Sequence, residues 1–214
     1  MVRVLLNRPL DDILGQHSKV RILRFLVNVQ TQLNGREIAK NTGLSHVKVH
    51  TALKDLTGHG IVNMRSLGNS LVYWLNEDHF LIKEIIRPAF EKENDIFEHI
   101  TKMIVRTIKS ARLLSVILFG SFAKGSASAD SDIDMAIVYS STKNKSLVLQ
   151  ELSEAEKKIT ALFGNRLAGV LLGIDEFQKK FKKGDHFVKE IVRTGRVIYG
   201  KSVAELITSN VKKN

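Results

Sequence analysis

Two aspartates with one residue between them, Asp132 and Asp134, follow a Gly120-Ser121 pair after a gap of ten residues, and these four positions carry the sharpest chemical signal in the chain. Residues two apart on a strand project from one face, so both carboxylates share a side while Ile133 turns into the core. Paired carboxylates are hard oxygen donors that suit a divalent cation. Gly120 ends the apolar run SVILFG, and a glycine there lets the backbone approach a phosphate chain closely. A serine opening the next helix adds a hydroxyl and unpaired N–H groups for phosphate oxygens. A D-x-D alone is as well explained by a solvated turn. Here it sits within a fixed order: strand, Gly-Ser, ten-residue gap, SDID and a second apolar strand, MAIVY.

The elements that must position these residues are legible from apolar periodicity. Strands at 113–119, 133–139 and 167–173 form the expected sheet core. LVLQELSEAEKKITALF reads as an amphipathic helix, IDEFQKKF as a short one, and HFVKEIVRTGRVIYG as a closing helix with a small strand. The segment GSFAKGSASADSDID, in this setting, resembles the polymerase-β-like nucleotidyltransferases, and among them the small MNT-type group, over roughly residues 99–200. The resemblance implies that Asp132 and Asp134 are the catalytic carboxylates and hold Mg²⁺, with two ions about 3.5–4 Å apart between triphosphate and acceptor. It implies that Gly120, Ser121 and Lys124, within Ala123-Lys124-Gly125, hold the phosphates of an NTP whose NMP passes to a hydroxyl. MNT-type members also pair with a separate helical protein as toxin–antitoxin modules, so the resemblance extends to such a partner, although a fused N-terminal lobe departs from the single-domain members.

One departure from the family pattern bears on catalysis. Members generally carry a third carboxylate on the third strand, whereas RLAGVLLG, residues 166–173, contains no acid. Asp175 lies beyond that strand and reads as the N-cap of the following helix. Two readings therefore stand: a Mg-dependent nucleotidyltransferase, and a regulator whose nucleotidyltransferase-like lobe is a catalytically degenerate nucleotide sensor or partner-binding module. The lysines around Gln178–Lys183 read first as a solvated helix face and second as an electrostatic funnel.

The N-terminal lobe has a different grammar. SKVRILRFLVN is amphipathic, with Ser18 as candidate cap and Val20, Leu23 and Val27 on one face. Asn34-Gly35 opens a second helix, which Gly43 stops. Ser45 then caps a third helix running to about Thr57, with Val49, Leu53 and Leu56 inward and Lys48, His50, Thr51 and Lys54 outward. IVNMRS and LVYWLN follow, joined by a Gly-Asn turn suited to a hairpin. Over residues 15–76 this order resembles the winged-helix transcription regulators. The resemblance implies that the helix from Ser45 enters a major groove of double-stranded DNA, with Arg65 or Asn69 in the wing on the backbone. Cations at Lys48 and Lys54 supply the phosphate neutralisation this requires. A protein-binding role for the same small domain is the alternative. His46 and His50 stand at helical i, i+4 spacing with no third ligand nearby, which makes a poor metal site.

Composition agrees with this division. The 214 residues carry 33 Lys plus Arg against 22 Asp plus Glu, a net +11 that favours polyanionic partners. Residues 1–75 hold 10 basic and 4 acidic side chains, 76–110 hold 6 and 7, and 111–214 hold 17 and 11. Two basic lobes thus flank a neutral stretch. With no cysteine, disulfides, Cys-ligated zinc, iron–sulfur clusters and thiol nucleophiles are excluded. MVRVLLNRPL lacks a signal-peptide core and no stretch of about 18 apolar residues occurs, so the expectation is a cytoplasmic protein without a membrane partner. The expected architecture is α+β: a winged helix-turn-helix domain at 1–77, a helical connector at 78–110, and a nucleotidyltransferase-like mixed sheet flanked by helices at 111–214. The connector carries apolar residues at helical spacing, with a break or kink expected near Pro88. It serves either as a dimerisation helix of a homodimer or as a spacer.

Overall fold

The computed structural model describes residues 8–142 and 144–208, and the chain divides into two units, Met1–Asn94 and Asp95–Asn214. The first contains α1 (Pro9–Leu14), α2 (His17–Val29), β1 (Leu33–Asn34), α3 (Gly35–Thr42), α4 (His46–Gly58), β2 (Val62–Leu67) and β3 (Ser70–Leu75). The strands form an antiparallel sheet in the order β1-β3-β2, with Leu67 opposite Ser70 across the hairpin. This is a helix-turn-helix with a wing. Its core gathers Ile22, Leu23 and Leu26 of α2 with Val49, Leu53 and Leu56 of α4, as the helical spacing required. Each such side chain contributes about 1.5–3 kcal/mol on burial.

The turn between α3 and α4 is locally over-specified. Asn34 accepts hydrogen bonds from the Arg36 and Glu37 N–H groups, while Glu37 accepts one from the Asn34 N–H, completing a capping box. Gly43 ends α3 in the left-handed region at φ 65°, where a side chain would be strained. Ser45 then caps α4 by accepting from the Lys48 N–H at 3.4 Å. Ser18, by contrast, does not cap α2; that helix begins after Gln16 with no side-chain cap, and Ser18 lies inside its first turn. Lys19 is 4% exposed, and its ammonium donates to the Asp12 carbonyl and pairs with Asp55 of α4, so α2 and α4 share a buried charge as well as apolar contact.

Near Pro88, where a break or kink is expected, the chain stays helical but changes its helix form. A π-helical turn at Ile82–Ile86 runs into α5 (Arg87–Asn94). The Arg87 N–H bonds to the Ile82 carbonyl five residues back. This wider turn makes room for a ring that would clash in a regular helix. Ile82, Ile86 and Phe90 join the first unit's core. Residues 78–110, expected as one connector, are thereby shared between the two units.

The second unit contains α6 (Ile96–Thr107), β4 (Ala111–Leu118), α7 (Gly120–Lys124), β5 (Ile133–Thr142), α8 (Lys145–Phe163), β6 (Leu167–Gly173), α9 (Ile174–Lys182), α10 (His186–Thr194), β7 (Arg196–Gly200) and α11 (Val203–Thr208). Its sheet runs β6-β5-β4-β7, parallel only between β5 and β6. The architecture is the expected α+β mixed sheet flanked by helices. Alternation along β5 sorts its side chains between two cores. Ile133, Met135 and Ile137 pack with α6 and α8, whereas Ala136 and Val138 pack with α9 and α10 through Phe177, Val188 and Ile191. Asp175 proves not to be a cap: Gly173 occupies that position, and Asp175 sits exposed in the first turn of α9, where an acid suits the helix dipole. Among the described residues no helix is long and apolar enough to cross a membrane.

Candidate active site

The site forms where β4 and β5 bring their ends together. The Phe119 N–H bonds to the Asp134 carbonyl at 3.0 Å, tying the strand that leads into the glycine to the strand that carries the aspartates. Gly120 then turns the chain at φ 68°, and a Cβ placed on it would lie 2.1 Å from Asp134 Oδ2. Both backbone angle and space therefore demand glycine, because the carboxylate of Asp134 occupies the room a side chain would take. Ser121 follows in the first turn of α7 and is half-buried, and Lys124 is in its last turn.

Asp132 immediately precedes β5 and Asp134 is its second residue, with Ile133 between them only 3% exposed. Asp132 is exposed, and its Oδ2 lies 3.8 Å from Arg166 Nη1. Asp134 is half-buried; burial raises its carboxyl pKa above the usual range, and the negative charges of Asp132 and Glu190 raise it further, with Lys124 opposing. Glu190, on α10, accepts a hydrogen bond from Lys124 Nζ at 2.5 Å, and this lysine holds Glu190 below its ordinary value. Lys124, expected as a phosphate contact, is thus ion-paired across the site.

The parallel register places Ala168 of β6 directly beside Asp134. The strand position adjoining the aspartates is therefore apolar, as the acid-free third strand implied. Among the described residues no group of three or more metal-ligating side chains gathers at one point. Sequence reasoning missed Glu190 and Arg166. A faint signal existed for Glu190: in HFVKEIVRT the apolar face comprises Phe187, Val188 and Ile191, and Glu190 borders it three residues from Phe187. Arg166 carried none, because its nearness to Asp132 depends on strand pairing.

The residues expected to touch DNA lie on the first unit. Lys48, His50, Thr51 and Lys54 are exposed along α4, and Ser45 is engaged as its cap. Arg65 is exposed yet laid along the wing: its Nη2 donates to Gln32 Oε1 at 2.6 Å and its guanidinium stands 5.9 Å from the Trp74 ring centroid. His46, Val49 and His50 line a groove between α4 and the wing together with Tyr73.

Comparison with functionally characterised proteins gives no sequence match. Among solved structures the chain is similar to a mutant of the toxin–antitoxin MntA-HpeT, at 18% identity over 51% of this chain and 79% of that one, with a TM-score of 0.37. It is also similar to the homodimeric winged helix-turn-helix DNA-binding domain of a Mycobacterium bovis protein, at 22% identity over 44% of this chain and 86% of that one, TM-score 0.36. A third is the antimony-specific transcriptional repressor AntR, at 18% identity over 44% and 78%, TM-score 0.35. The family model described as Polymerase beta, Nucleotidyltransferase matches residues 102–204. The match to that nucleotidyltransferase model is confined to those residues, within the second unit.

Proposed function

We propose that the chain is a Mg²⁺-dependent nucleotidyltransferase tethered to a DNA-binding winged helix. The observation that carries the reading is the Gly120 turn packed against Asp134: backbone and carboxylate meet with no intervening side chain, so a phosphate chain and a carboxylate-held cation can share one small space. Asp132 and Asp134 supply hard oxygen donors of the kind Mg²⁺ takes, and these two side chains would hold it. When bound, the ion supplies charge neutralisation and orientation of the phosphates.

The chain's own residues do the rest. Gly120 and Ser121 receive the triphosphate at the backbone, and Lys124 exchanges its carboxylate partner for a phosphate oxygen. An acceptor hydroxyl oxygen then bonds to the α-phosphorus as the bond to the β-phosphate bridging oxygen breaks. Pyrophosphate leaves with that electron pair, and the hydroxyl proton passes to solvent or a carboxylate. Calorimetric titration of a non-hydrolysable ATP analogue with Mg²⁺ tests this without knowledge of the acceptor. Binding in wild type that falls by about 100-fold or more in the Asp132→Ala/Asp134→Ala variant supports the reading. Wild type that takes up no nucleotide of any base overturns it.

Ala168 beside Asp134 favours a second reading, a transcription regulator whose C-terminal unit senses nucleotide without turnover. In that case nucleotide shifts the DNA-bound population. Pyrophosphate release across a panel of nucleic-acid and protein hydroxyl acceptors separates the two readings: release sustains the enzyme, and its absence alongside intact nucleotide binding sustains the sensor. The exposed cations of α4 serve duplex DNA under either reading.

A further inference from the structure

We propose that Glu190 stands in for a nucleotide phosphate on Lys124: its carboxylate occupies the ammonium in the empty site, and only a polyphosphate already anchored at the Gly120 turn displaces it. Glu190 is thereby a positioning residue that acts through Lys124. The inference rests on the nucleotide-binding reading above and adds to it what selects the ligand.

The placement of the pair is specific. Glu190 is the one acid within α10, where His186, Lys189 and Arg193 are exposed and Glu190 is half-buried. Its helix is fixed by Val188 and Ile191, both fully buried, and by Phe187, whose ring meets Phe119 edge-on at 5.4 Å. Phe119 is the residue before Gly120, so α10 is docked at the turn that packs against Asp134. Lys124 starts one turn along α7 from Gly120 and donates to Glu190 at 2.5 Å, across 66 residues of sequence. The single acid of an otherwise basic helix thus meets the lysine that follows the Gly-Ser turn. Side-chain exposures of 41% for Lys124 and 29% for Glu190 leave both ends reachable from solvent.

Competition follows from the chemistry of the ammonium. Carboxylate and phosphate oxygens make the same kind of charge-assisted bond to it. Two anions on one ammonium repel each other, so a phosphate that takes Lys124 releases Glu190. The site sets three carboxylates, Asp132, Asp134 and Glu190, against two cations, Lys124 and Arg166, and offers a passing anion little net attraction. A lone phosphate gains a bond to Lys124 and forfeits the one already there. A polyphosphate held at Gly120 and Ser121 presents its next phosphate to Lys124 within the same complex, at high effective concentration. It therefore displaces Glu190 where free phosphate does not.

The test is calorimetric titration of the α,β-methylene analogue of ATP with Mg²⁺ into the full-length chain and its variants. Removing a side chain that merely holds α10 in place weakens uptake, whereas removing a competitor strengthens it. Glu190→Gln is expected to bind about tenfold more tightly than wild type. Glu190→Asp keeps the charge but falls one methylene short of Lys124, and is expected to gain about threefold; it carries the comparison if Glu190→Gln does not fold. Glu176→Gln, which removes an exposed acid from α9, is expected to bind as wild type, and Lys124→Met to bind about tenfold more weakly. Orthophosphate alone is expected to be taken up by Glu190→Gln and not by wild type. Glu190 variants that bind no tighter than wild type, a Glu176→Gln gain equal to theirs, Lys124→Met that binds as wild type, or orthophosphate uptake that does not depend on Glu190 overturns the assignment while leaving the nucleotide reading intact. Wild type and Glu190 variants that all take up no analogue overturn both.

Discussion

The exposed face of α4 and the β4–β5 site use charge in opposite ways. Along α4, Lys48 and Lys54 have no acidic partner among the described residues and stand in solvent. At the β4–β5 site Lys124 is paired with Glu190, Arg166 approaches Asp132, and Asp134 has a raised pKa. The difference reflects solvation. An exposed cation keeps its water and can wait unpaired for a distant polyanion, whose attraction is long-ranged and screened by salt. Charges crowded beside a half-buried carboxylate lose water, so they compensate one another until a ligand takes over. The first kind of surface depends on number and exposure, the second on position.

Several substitutions sharpen or break this contrast. The largest effect belongs to Gly120→Ala, which places a side chain against Asp134 and demands a left-handed backbone; nucleotide binding is expected to vanish, with a stability loss of about 1–3 kcal/mol in denaturant titration. Retained binding would mean that position is less stringent there than the geometry requires. Next, Lys48→Ala/Lys54→Ala is expected to weaken duplex binding roughly uniformly across sequences and to reduce the slope of log affinity against log salt by about two. An unchanged slope would remove α4 from the interface. Asn34→Ala deletes the capping box and should cost about 1 kcal/mol by thermal unfolding of the first unit, since two N–H groups lose their acceptor. The smallest effect concerns pH. Because the folded pKa of Asp134 is raised, its ionised form penalises the fold at neutral pH, and the penalty disappears as pH falls through that raised value. Asp134→Asn is therefore expected to melt slightly above wild type at pH 7, with the gap closing in acid.

Much of the first unit was legible because its determinants are local. Asn34 and Glu37, Gly43 and Ser45 act within three or four residues of themselves, and the apolar spacing of α2 and α4 repeats every turn. The error there was also a local contest. Ser18 lost to a helix that began two residues earlier than a cap at that position requires, whereas near Pro88 the expected irregularity takes the form of a π turn, with Ile82, Ile86 and Phe90 buried along a segment that stays helical. In the second unit the Gly120-Ser121 and Asp132–Asp134 spacing marked the site, and the three expected strands appear where apolar runs of strand length placed them. Asp175 was misread because it stands two residues inside α9 rather than at its cap.

Sequence by itself determined the Gly-Ser and D-x-D spacing, the absence of an acid on β6, the cations of α4 and the order of elements in both units, since each is a matter of residue type and short-range periodicity. Only the tertiary structure decided which charges meet. Ala168 comes beside Asp134 through parallel pairing across a helical crossover, Arg166 reaches Asp132 by the same route, and Glu190 arrives at Lys124 on a helix docked by Phe187 against Phe119. Such pairings are set by how buried faces fit over long stretches of chain. No local pattern encodes them, because the energy that fixes them is shared among all the side chains packed between the sheet and its helices.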